Sequence, residues 1–347
     1  MSPIRESSYA RKCLLAFSKF AKMADEFPVI VVPESDYGLS EEEQMGTKNK
    51  FWFPHSEFGT CLYKQSRPNT GEDWAEKIAA ELCKLLGLPH AQYELATWRS
   101  QRGTVSPSFL PDGGSFIPGN QVLSANASHK VDIVLKAIAD NSVNLPLDWV
   151  PPVGIETAVE TFVGYLLLDA WIGNTDRHSE NWGVLDKPES DPTLNIARYL
   201  APTHDHASSL GVRISDEERQ KRLITKDTGY SVQAYAKRCS SQLYASDNRP
   251  KPLKTFEAFC SAALYYPQAA EIWLNCLARI SANDTLAIFN RIPRDRISQI
   301  TIDFSQQILK FNRERLLELT GDCFENTIFG LARPGQPFLV SDWSIDI

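Results

Sequence analysis

The chain has 347 residues, 43% of them hydrophobic and 23% charged, a globular balance far from the disordered corner of composition space. Thirty-six Lys and Arg against 43 Asp and Glu leave a formal charge of −7, which excludes a surface built as a whole to hold nucleic acid. No apolar run reaches the ~18–20 residues that span a bilayer, charges interrupt the N-terminal stretch from Arg5 to Lys22, and the 7 cysteines are scattered singly without a CxxC pair. These features predict a cytoplasmic protein with reduced thiols, no membrane segment and no structural zinc of the usual spacing.

In chain order, Tyr9–Ala24 has helical spacing of apolar residues, Phe27–Val32 is β-rich, and Ser40–Gln44 is an acidic linker. Residues 1–44 thus read as an N-terminal, mainly helical extension. Lys50–Phe53 and Thr60–Gln65 predict short strands around a turn at Gly59. Glu72–Leu86 predicts a helix with Ala75, Ile78, Ala79, Leu82 and Leu86 on one face and Gly87 past its end. Tyr93–Trp98 and Thr104–Leu110 predict a hairpin turning at Gln101-Arg102-Gly103. Residues 45–115 therefore form a small lobe, one helix on an antiparallel sheet, with the lobe boundary in Pro111–Gly119.

Residues 116–347 read as a larger, mainly helical lobe. Ile155–Ile172 is apolar on most sides and predicts a buried helix; Val131–Ala139 predicts another. Trp182–Leu185 and Asn195–Leu200 predict a hairpin. Further helices are expected over Val232–Ala245, Leu253–Tyr266, Ala269–Ala282, Asp284–Asn290 and Arg296–Leu319, before a packed tail from Gly321. The fold class is α+β, in two lobes.

The densest polar cluster runs from Gly173 to Asn181, between the buried helix and the hairpin. Asp176 and Asn181 supply a carboxylate and an amide oxygen, and Thr203-His204-Asp205-His206 adds a second carboxylate at the hairpin's return. One carboxylate to orient a hydroxyl, with an amide and another carboxylate to hold Mg²⁺, is the set that phosphoryl transfer from ATP requires. Lys64, in mid-strand, and Glu76 or Glu81, on the following helix, offer the ammonium–carboxylate pair that neutralises phosphate charge.

The run Asp176-Arg177-His178-Ser179-Glu180-Asn181 resembles the D-x-H-x-x-N catalytic loop of HipA-like serine/threonine kinases, which phosphatidylinositol 3/4-kinases share in related form. Leu62-Tyr63-Lys64, Trp74-Ala75-Glu76-Lys77-Ile78-Ala79 and Ser106-Pro107-Ser108-Phe109-Leu110 extend the likeness, which runs from about Gly46 to Leu210. The resemblance implies a two-lobed kinase fold using ATP and Mg²⁺. It implies Asp176 as base, with His178 orienting the loop within the catalytic set, and Asn181 and Asp205 as magnesium ligands. Lys64 becomes the phosphate lysine and Glu76, rather than Glu81, its helix partner. The purine falls near Phe109 and Leu110. The phosphate loop, Gly46, Thr47 and Lys48, departs from the Gly-rich pattern with its single glycine, and His204 and His206 flank the metal aspartate where many kinases have apolar residues. The expected substrate is a protein with a Ser or Thr acceptor, autophosphorylation is expected because Thr47 and Ser56 lie near the phosphate loop, and kinship also implies a toxin neutralised by a small antitoxin protein. Direct nucleic-acid contact and membrane association are not expected. Three alternatives stand: a metal-dependent hydrolase built on Asp176, His178, His204, Asp205 and His206, a lipid or small-molecule kinase, and a kinase fold that only binds.

Overall fold

The computed structural model describes residues 26–34, 41–42, 49–123, 128–189, 196–245 and 251–319. The expected helix over Tyr9–Ala24, the phosphate loop at Gly46, Thr47 and Lys48, and the tail from Gly321 lie outside them. Alternation of large apolar residues builds the small lobe. Strands β1 (Val29–Val31), β2 (Glu41–Glu42), β3 (Lys50–His55), β4 (Gly59–Gln65), β5 (Glu94–Trp98) and β6 (Gln101–Pro107) form one sheet, ordered β1-β5-β6-β4-β3-β2. Every pairing is antiparallel except β1 with β5, so the β-rich run of the N-terminal extension enters the small-lobe sheet as a parallel strand. One face buries Phe51, Phe53, Cys61, Tyr63, Ala96, Trp98 and Val105. The other face, through Leu95, meets helix α1 (Glu72–Leu86), whose Ile78, Ala79 and Leu82 join the main core. Gly87, at φ 75°, stops α1 in the left-handed conformation that glycine adopts without strain.

The β5–β6 turn lies at Arg99 and Ser100, both at positive φ (47° and 62°), two residues before the expected site. Paired positive φ is the geometry that matches strand twist in a two-residue hairpin. Gly103, read as a turn glycine, sits inside β6, where a Cβ would collide with the Lys64 carbonyl and the Tyr63 ring. Its role is close backbone approach beside the candidate lysine.

In the larger lobe, β7 (Ser115–Pro118), β8 (Gly183–Lys187) and β9 (Ala197–Leu200) make an antiparallel sheet. Around it lie α2 (Gly119–Val122), α3 (Val131–Asp140), α4 (Ala158–Ile172), α5 (Asp216–Ile224), α6 (Val232–Arg238), α7 (Thr255–Tyr265), α8 (Pro267–Ala278), α9 (Ala282–Asn290) and α10 (Gln299–Leu317). The helix expected to run to Ala245 stops at Arg238, because Ser240 and Tyr244 turn to bridge Lys254 and Lys130.

Helix α4 is the axis of the lobe. Thr157 and Glu160 close a capping box at its start, Gly173 (φ 65°) ends it, and every position except Glu160 is buried. The lobes are joined by Arg296, which donates to Asp73 on α1 at 2.7 Å and to the Ala96 carbonyl and Thr97 Oγ1 on β5 at 3.1 and 2.6 Å. No helix among the described residues is long and apolar enough to cross a membrane.

Candidate active site

Lys64 lies on β4, a central strand between β3 and β6, so it is not a charge guarding a sheet edge. Its Nζ reaches across to Asp205 Oδ1 at 2.5 Å. Burial alone would lower the ammonium's pKa, but the carboxylates of Asp205 and Glu76 more than reverse this and leave it above the ordinary lysine value. Glu76, on α1, is buried, and its Oε1 accepts the His206 backbone N–H at 2.6 Å. Glu81 belongs to a different cluster, taking Lys77 and Lys84 at 2.9 and 2.7 Å, and Lys77 also binds Glu94. The structure therefore brings Lys64, Asp205 and Glu76 together and leaves Glu81 with lysines of its own helix.

The polar loop begins where Gly173 ends α4. Asp169, in the last turn of α4, is buried and accepts from Arg177 Nε and Nη2 at 2.7 and 2.9 Å, a two-pronged guanidinium–carboxylate pair. Asp169 also accepts from Asn174 Nδ2 at 2.8 Å. Fully buried Arg177 then spends its remaining donors on the Asn181 carbonyl at 2.6 Å and on Thr203 Oγ1 at 3.0 Å, with His206 Nε2 at 3.1 Å. One guanidinium thus ties the loop's start, its end and the segment carrying Asp205. Sequence reasoning treated Arg177 as a spacer. The available signal was Asp169, an acidic residue deep within an apolar helix and far from its capping Glu160, which demands a cation within reach.

On this frame Asp176 keeps its carboxylate partly exposed. Its N–H donates to Asn174 Oδ1 at 3.3 Å, and its carbonyl accepts from Asn181 Nδ2 at 2.7 Å. That bond fixes the Asn181 amide by its nitrogen, so Oδ1 is the end turned away from the loop backbone. His178 lies 4.0 Å from Asp176 Oδ1, and its Nδ1 accepts the Glu180 N–H at 3.2 Å, which folds the loop locally.

Asp205 holds a left-handed backbone (φ 56°) uncommon for a residue with a Cβ, and its N–H donates to the Tyr93 hydroxyl at 3.2 Å. Backbone conformations of this kind survive only where the surroundings impose them. The flanking histidines have separate tasks. His204 Nδ1 donates to the Pro202 carbonyl at 2.9 Å, and its ring lies 5.5 Å from Phe109 and 5.4 Å from Phe116, an aromatic group at the expected purine segment; Leu110 there is exposed. Burial holds His204 down to about 4. His206 Nε2 accepts from Thr203 Oγ1 at 2.8 Å and faces Arg177, leaving its proton on Nδ1, 3.6 Å from Glu76.

Among the described residues, no three His, Cys, Asp or Glu side chains are grouped to hold a metal ion. The five-residue Asp/His cluster of the hydrolase alternative is therefore not assembled, because both flanking histidines are committed to other bonds. Asn181 and Asp205 offer hard oxygens, which suit Mg²⁺ and its retained waters.

The buried imidazole carries a pH dependence. Burial first, then the Arg177 guanidinium, push His206 down to about 3, against ~6.5 in an unfolded chain. Between those values only the unfolded chain binds the proton, so folded stability is complete above pH ~6.5 and declines as pH falls through this window. Chemical-denaturation midpoints measured from pH 7 to 4.5 should drop, and His206→Gln should remove a slope of about 1.4 kcal/mol per pH unit. An identical acid slope in that variant would contradict a neutral His206.

No protein-family model matches the sequence, and no curated protein matches it. Among solved structures, the Helicobacter pylori proinflammatory kinase CtkA is similar over 88% of this chain and 100% of its own, at 20% identity and a TM-score of 0.61. The Shewanella oneidensis toxin–antitoxin complex of HipA, HipB and operator DNA is similar over 92% of this chain and 76% of the matched one, at 12% identity and a TM-score of 0.48. At such identities likeness speaks to fold, and the fold is a two-lobed, kinase-like α+β architecture.

Proposed function

We propose that this chain transfers the γ-phosphoryl group of ATP, with Mg²⁺, to a Ser or Thr hydroxyl of a protein. The observation that carries the reading is the ion pair of Lys64 and Asp205 between the lobes, on a frame that one guanidinium shares with the loop of Asp176 and Asn181. Lys64 would hold phosphate oxygens, with Gly46, Thr47 and Lys48 as further phosphate-binding residues, and the aromatic group at Phe109 with Leu110 would take the purine. Asn181 and Asp205 would hold Mg²⁺, which when bound supplies positive charge to the phosphate oxygens. Asp176 accepts the acceptor's hydroxyl proton as its oxygen bonds to the γ-phosphorus. The bond from that phosphorus to the β,γ-bridging oxygen breaks, and ADP leaves with the electron pair. The narrower role, a toxin neutralised by a small antitoxin protein, is supported only by the loop's likeness to HipA-like kinases.

Incubation with γ-labelled ATP and a cell lysate should label protein at Ser or Thr. Lys64→Ala should raise the ATP requirement about tenfold or more, the cost of one charged hydrogen bond. Absence of any labelled species would overturn the reading. Label in lipid or small molecules alone would replace the acceptor class, and an unchanged ATP requirement in Lys64→Ala would remove that residue from the phosphate site.

A further inference from the structure

One residue outside the D-x-H-x-x-N run reaches the carboxylate assigned as base, and a second acts on it through the first. Ser208 lies three residues after Asp205 and is buried. Its carbonyl accepts from both the N–H and the hydroxyl of Thr175, each at 3.1 Å, which straps it to the residue preceding Asp176. Its Oγ lies 3.4 Å from Asp176 Oδ2, and Arg213 Nη2 donates to the same Oγ at 2.9 Å.

The direction of these bonds follows from the donor inventory. A guanidinium only donates, so Arg213 occupies a lone pair of the serine oxygen. The serine's single O–H is left for Asp176 Oδ2, its other neighbour in this set, and the adjacent cation polarises that proton toward the carboxylate. Oδ1, the other oxygen, sits 4.0 Å from His178, and in this partly exposed side chain it is the oxygen that Ser208 leaves to an acceptor hydroxyl. Hydrogen bonds at a catalytic carboxylate are often long without substrate and tighten in the reacting complex. A serine serving only the turn would use its hydroxyl on nearby backbone, whereas here that task falls to the carbonyl.

We propose that Ser208, backed by Arg213, is a positioning residue for Asp176, fixing which carboxylate oxygen takes the acceptor's proton. The proposal rests on the phosphoryl-transfer reading above. It predicts a split in steady-state kinetics on full-length protein with labelled ATP and a Ser-containing acceptor. Ser208→Ala should lower kcat about thirtyfold, the value of a hydrogen bond to a charged group, with the KM for ATP unchanged. Ser208→Thr, which restores the hydroxyl, should recover most of the loss. Arg213→Ala should lower kcat a few-fold, and the double variant Ser208→Ala/Arg213→Ala should be no worse than Ser208→Ala, because the arginine acts through the serine.

Thermal melts and binding of a fluorescent ATP analogue separate misfolding from lost positioning. Full kcat in a folded Ser208→Ala would overturn the proposal while leaving the kinase reading intact. So would loss in Ser208→Ala that Ser208→Thr, folded and binding nucleotide, fails to restore. No transfer by the unmodified chain would sink both together.

Discussion

Asp176→Asn should lower phosphoryl transfer at least about a hundredfold while leaving the fold and nucleotide binding in place. The loop does not depend on this carboxylate for its shape, since its bonds at this residue are made by backbone groups, the N–H to Asn174 and the carbonyl from Asn181. The side chain is partly exposed, with Ser208 Oγ at 3.4 Å and His178 at 4.0 Å. An amide fills the same volume and can accept the Ser208 proton, but it has no useful basicity toward an acceptor hydroxyl. Loss of a general base is worth about a hundredfold to ten-thousandfold in rate. The measurement is single-turnover transfer from labelled ATP, beside a melting curve and an ATP-analogue titration. Retained turnover would reassign the base, with His178 the first group to test. A collapsed melting temperature would show that the carboxylate holds the loop after all.

What the chain disclosed in advance followed from how local each signal was. The buried helix, the polar loop after it and the following hairpin are written in consecutive residues, and they appear at α4, residues 173–182, and β8–β9. Lys64 was legible as a strand lysine, but its place in the centre of the sheet depends on β6 returning beside β4, a pairing between distant residues. Gly103 misled because a glycine reads first as a turn, whereas here the sheet needs it where two strands and the Tyr63 ring crowd together. His206 looked like a departure from an apolar pattern. Burial makes it a neutral connector, accepting from Thr203 and facing Arg177 with one nitrogen and Glu76 with the other. Ser208 and Arg213 carried no pattern at all, since their meaning arises when the turn after Asp205 folds back over the loop.

The largest structural penalty should fall at Arg177, which touches no nucleotide in the proposed reaction. Arg177→Met keeps most of the side chain's length and removes the charge. Asp169 would then be a buried carboxylate left with the neutral amide of Asn174, while the Asn181 carbonyl would lose its donor and Thr203 and His206 would lose their shared cation. Removing one member of a buried ion pair costs about 3–5 kcal/mol, and for a chain of this size that lowers Tm by roughly 10 °C. The double variant Asp169→Leu/Arg177→Met should regain much of the loss, because no isolated charge remains. Its transfer rate should stay low, however, since the shared anchor between the Asp176 loop and the Asp205 segment is still missing. Calorimetric melts of the single and double variants, read beside their transfer rates, separate these two contributions. Equal melting temperatures for Arg177→Met and the parent would mean that the guanidinium is not what holds the loop and the Asp205 turn together.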